Sequence, residues 1–67
     1  MSTNPATGPV TYRIRDLEHP GEHVDISVSG GRAAALNRMY MAAWVKEWKR
    51  PRLSILNDDA SETEVPQ

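Results

Sequence analysis

Cysteine is absent from this 67-residue chain, which excludes disulfide staples and thiolate-held metals alike. No apolar run approaches the ~20 residues of a membrane-spanning helix. No basic stretch leading into an apolar one opens the chain, so no secretory leader is expected and the cytoplasm is the expected location. Phenylalanine is missing too, and two tryptophans with two tyrosines are the whole aromatic complement. A core with so little bulk leaves no room for a pocket of ordinary ligand size. The serines have no base beside them in sequence, so neither an enzyme nor a cofactor is expected.

What is present divides into three segments. Residues 1–9, "MSTNPATGP", are small, polar and rich in proline and glycine. Residues 57–67, "NDDASETEVPQ", are acidic with one large apolar residue, Val65. Neither segment offers enough apolar surface to offset the entropy of ordering it, so both are expected to be disordered. A single domain over residues 10–56 remains, close to the lower size limit for a chain without staples. It holds all eight basic residues and five acids, a balance of +3, while the tail carries four acids. The expectation is a mildly basic domain with an acidic tail that screens it.

Val10, Tyr12 and Ile14 alternate with polar residues, as do Val24, Ile26 and Val28. Period two with one apolar face predicts two strands, and Pro20-Gly21 between them predicts the turn of an antiparallel hairpin. Pairing Ile14 with Ile26 places Arg15 opposite Asp25 on the outer face. Leu17 then falls on the wrong face, which predicts a bulge near the turn.

From Arg32 to about Lys49 the period lengthens to that of a helix. Ala33, Leu36, Tyr40, Met41, Trp44, Val45 and Trp48 share one broad arc. Ser29 or Gly31 is the expected N-cap, and Pro51 the expected terminator. "RLSIL" then predicts a third strand, at a sheet edge because of the proline at its start. The expected fold is α+β: a small β-β-α-β unit with one helix packed across the sheet. Trp44 and Trp48 are expected to face the sheet and supply its bulk, with Trp48 also able to meet a partner at the helix end.

His19, Glu22 and His23 spell H-x-x-E-H, the order of an inverted zinc-peptidase motif. That chemistry needs both histidines on one helical face, and Pro20-Gly21 forbids the helix, so no metal is expected. "SGGRAA" sets an arginine at a helix N-terminus, but lacks the lysine and spacing of a phosphate loop. The basic ridge is the strongest functional signal. Arg38, Lys46 and Lys49 fall on the expected solvent arc of the helix, and Arg50 and Arg52 follow it. These five, with Trp48, are the candidate partner-binding residues. Their forked or point charges suit an acidic protein patch or a phosphate backbone. A larger protein or nucleoprotein complex is the expected partner, and nucleic acid alone is the alternative. The thin core and free sheet edges also predict a homodimer, or an assembly subunit pairing through a sheet edge.

In size, segregated charge and β-β-α-β order over residues 10–56, the chain resembles the small inhibitors encoded by bacteriophages. These proteins block host RNA polymerase or CRISPR surveillance complexes. The resemblance implies a non-enzymatic protein that works by occupying a site on a larger bacterial assembly. It rests on element order and assigns no residue a role.

Overall fold

The computed structural model describes residues 8–67, so the expectation for residues 1–7 lies outside the described residues. The described residues form four antiparallel strands and one helix: β1 (Val10–Asp16), β2 (His19–Val28), α1 (Gly31–Lys46), β3 (Pro51–Leu56) and β4 (Glu62–Glu64). The sheet order is β2-β1-β3-β4, and the helix between β2 and β3 packs on one face. The α+β class and the hairpin-helix-strand order are as the alternation predicts.

The hairpin turns earlier than expected. Leu17 and Glu18 make the turn, while Pro20 and Gly21 lie inside β2. Val10 faces Val28, Tyr12 faces Ile26 and Ile14 faces Val24, a shift of two residues from the expected pairing. A two-residue shift keeps every side chain on its own face, so the apolar layer survives it. Arg13, rather than Arg15, now stands opposite Asp25. The expected irregularity occurs between Arg15 and Asp16, whose partners are His23 and His19. Pro20 to Glu22 therefore have no partners on β1. A proline is tolerated there because β2 is an edge strand.

Both ends of α1 differ from expectation. Gly30 is the N-cap, with φ of 109° and no side-chain cap. A side chain there would strain the backbone, and its Cβ would lie 3.0 Å from that of Ala34. At the other end, Glu47 adopts a left-handed conformation with φ of 60°. Its N–H donates to Trp44 O (3.3 Å), and the N–H of Trp48 donates to Ala43 O (2.8 Å). This pair of bonds is the Schellman arrangement. It ends the helix at Lys46, five residues before Pro51, which is therefore not the terminator.

The tail is not disordered beyond Leu56. Asn57 O accepts from Ala60 N–H (2.9 Å), and Asn57 N–H donates to Ser61 O (2.8 Å). Asp59 Oδ1 accepts from the N–H and hydroxyl of Ser61. The chain so reversed runs back as β4 beside β3. Val65 is only 6% exposed, and its N–H donates to Leu53 O at 2.8 Å. With β4 in place β3 is an inner strand, not the expected edge.

The core comprises Tyr12, Ile14 and Val28, with Leu53 and Val65, against Ala35, Met39 and Ala43 of the helix and Trp48 beyond it. The helix therefore shows the sheet an arc roughly half a revolution from the expected one. Alanines at that arc let helix and sheet approach closely. The bulk comes from the strands, from Met39 and from Trp48.

Candidate functional site

Turning the helix places its larger apolar residues outside. Trp44 is 83% exposed, Val45 74%, Met41 58% and Tyr40 54%. Trp44, expected in the core, is thus on the surface. Trp48, expected to face the sheet, is buried at 6%, which leaves little of its ring for the partner contact also expected of it. The Schellman turn carries Trp48 off the helix and folds it inward beside Ala43.

Beside this face runs an open groove of about 320 Å³. Val24 and Ile26 of β2 form one wall, and Met41, Ala42 and Val45 of α1 the other. Its two charged lining residues, Arg38 and Lys46, are both cations. Neither takes part in an ion pair among the described residues. Lys46 Nζ lies 5.4 Å from the centre of the Trp48 ring. On the strand side the groove opens along β2, whose outer edge has no neighbouring strand among the described residues.

The six expected binding residues do not form one surface. Arg38 and Lys46 meet at the groove, and Trp48 is core. Lys49 and Arg50 are exposed in the connection between α1 and β3. The backbone of Arg50 is structural: its N–H donates to Asp16 Oδ1 (2.7 Å) and its carbonyl accepts from Leu17 N–H (3.1 Å). Its guanidinium lies 3.6 Å from Glu18. Arg52 stands opposite Arg15 on β3, and alternation from the buried Leu53 puts it on the face away from the helix.

That outer face is largely neutralised. Arg13 makes two hydrogen bonds to Asp25, at 2.8 and 3.0 Å. Arg15 makes two to Glu62, at 2.9 and 2.7 Å. The Arg15 hydrogen bonds hold the Glu62 carboxyl below its ordinary value, and those from Arg13 do the same for Asp25. An acid of the tail thus screens arginines of the sheet, not the basic residues of the helix.

Asp16 is 1% exposed. Its Oδ2 accepts from Glu18 N–H (3.1 Å) and from His19 Nδ1 (2.8 Å), and its Oδ1 from Arg50. An ionised carboxylate only accepts, so Nδ1 carries the proton. The His19 ring stacks on Trp48 with centroids 6.3 Å apart. Loss of solvent pushes the Asp16 carboxyl up, but the three hydrogen bonds together outweigh it and bring it below the ordinary range. Among the described residues no three side chains of metal-binding type converge, and the H-x-x-E-H residues lie along the hairpin. No helix of the described residues is long and apolar enough to cross a membrane.

The exposed apolar residues Tyr40, Met41, Trp44 and Val45 lie on the arc that periodicity assigns to the core, so the sequence pattern does not mark them as a binding face. The signal that could have found them is the opposite arc, where Ala35, Met39 and Ala43 recur every four residues. Comparison with models of known protein families finds no match, and neither curated proteins nor solved structures yield one.

Proposed function

We propose that this is a non-enzymatic binding protein that inhibits or modulates a larger bacterial protein or nucleoprotein complex, as phage-encoded inhibitors do. The observation that carries this reading is the placement of Trp44. A chain with only four aromatic residues leaves this indole 83% exposed, beside Met41 and Val45. Exposed contiguous apolar surface of this kind marks interaction sites, and tryptophan is enriched among residues that dominate binding energy. The sheet behind the helix fixes this face in position.

The test is photo-cross-linking in a bacterial lysate. A cross-linking aromatic residue is placed at position 44, and at Glu64 as control. The expected result is a discrete protein adduct from position 44 and none from Glu64. Equal labelling from both positions, or no protein adduct, rejects the reading.

A second reading, nucleic-acid binding, draws support from α1, which has Arg32, Arg38 and Lys46 but no acid between Gly31 and Lys46. Phosphate binding weakens steeply with salt, in proportion to the contacts made. An apolar interface around Trp44 is far less salt-sensitive.

A further inference from the structure

We propose that the groove between β2 and α1 takes an extended acidic and apolar segment of the partner protein, added to the sheet as a fifth strand on β2. This inference rests on the binding reading above and names the partner's chemistry.

Three observations converge on it. Among the described residues the regular part of β2, His23 to Val28, is paired with β1 on one side only. Its outward N–H and C=O groups are a template for another strand. A strand added there lies about 4.8 Å away and directs alternate side chains to the helix side, next to Val24 and Ile26. That space is the groove, and Met41, Ala42 and Val45 across it call for apolar side chains. Its charged residues, Arg38 and Lys46, make no ion pair among the described residues. An acidic occupant complements them.

The same charges disfavour a second copy of this chain. Two β2 edges paired about a two-fold axis bring two helices toward one another across the joined groove. Each brings Arg38 and Lys46, and neither brings an acid between Gly31 and Lys46. Like charges at a closing interface are repulsive.

The test selects binders from a displayed library of random peptides long enough to add a strand. The expected winners alternate apolar residues with polar ones and are enriched in Asp and Glu. They should shift the NMR signals of the His23–Val28 amides and the Met41 methyl. Arg38→Glu with Lys46→Glu, both exposed in the fold, should weaken their binding about tenfold or more. N-methylating alternate backbone nitrogens of a winning peptide should abolish binding, since a strand needs those donors.

Winners without acidic enrichment, N-methylated peptides that bind as before, or shifts confined to Trp44 and Tyr40 overturn the proposal. So does a library that yields no binder, or sedimentation showing a dimer that buries the groove. The cross-link at position 44 is read independently, so loss of the groove and loss of the wider reading are told apart.

Discussion

His19 Nδ1 lies 2.8 Å from Oδ2 of the buried Asp16, and this contact joins the hairpin turn to the indole beyond the helix. Asp16 holds the turn through Glu18 and the start of the last connection through Arg50. His19 in turn stacks on Trp48. Two segments distant in sequence, the hairpin turn and the connection after the helix, therefore meet at one ionisable pair.

Stability should peak in mildly acidic solution. The hydrogen bond to Asp16 raises His19 above its ordinary value of 6.5. Its contribution is complete below that value and is lost as pH rises through the higher value in the folded protein. Asp16 is shifted below its ordinary 3.8. Its contribution is complete above 3.8 and is lost as pH falls through the lower folded value. Glu62 and Asp25 are lowered as well and add to the acid limb. Thermal midpoints should therefore fall on either side of a window between about pH 4.5 and 6.5. His19→Gln should flatten the alkaline limb and make the acid limb shallower, the bonds from Arg50 and Glu18 still holding Asp16 down. An unchanged alkaline limb in that variant refutes the assignment.

The two tryptophans should respond oppositely to truncation. Trp48→Ala removes a buried aromatic and the stacking partner of His19, and should destabilise by about 3–5 kcal/mol. In so small a domain that is enough to unfold it. Trp44→Ala should change stability by no more than about 0.5 kcal/mol while removing partner capture. Urea titrations of both variants decide the matter. Equal destabilisation would place Trp44 in the core after all.

Periodicity located the elements but could not orient the helix. Apolar residues occur nearly all round α1, and the arc with the largest side chains is the one left outside. The small arc of Ala35, Met39 and Ala43 fits against the sheet because Tyr12, Ile14 and Leu53 already fill the space. The register missed by two residues because Pro20-Gly21 is the stronger turn signal in sequence. Leu17-Glu18 wins because Asp16 accepts hydrogen bonds from Glu18, His19 and Arg50, and Arg50 is far along the chain. The basic cluster was visible as composition. Its division among groove, connection and outer sheet face depends on where the helix ends, and Glu47 fixes that through a backbone conformation with no side-chain signature.

Glu47 predicts a gain of stability. A non-glycine residue in the left-handed region carries about 1–2 kcal/mol of strain. Glycine relieves this but loses about 0.5–1 kcal/mol through the unfolded chain. Glu47→Gly should therefore stabilise by about 0.5–1 kcal/mol, seen as a higher urea midpoint with an unchanged slope. A lower midpoint would mean that the Glu47 side chain makes a contact worth more than the strain.

The tail offers the last prediction. Its acids made it look like a solvated appendage, yet Val65 is buried between sheet and helix. Arg32 Nε donates to Pro66 O (2.9 Å), and Gln67 Nε2 donates to Pro51 O (2.8 Å). Val65 should dominate these contacts, because burying its side chain contributes about 1.5–3 kcal/mol, whereas exposed ion pairs contribute little. Val65→Asp should therefore release β4, leave the outer edge of β3 unpaired and speed hydrogen exchange at Ile55 and Asn57, whose N–H groups face β4. Glu62→Gln should leave that exchange nearly unchanged, although it breaks the bonds to Arg15. If the glutamine variant frees the strand and the aspartate variant does not, charge on the outer sheet face holds the tail, and the apolar anchor does not.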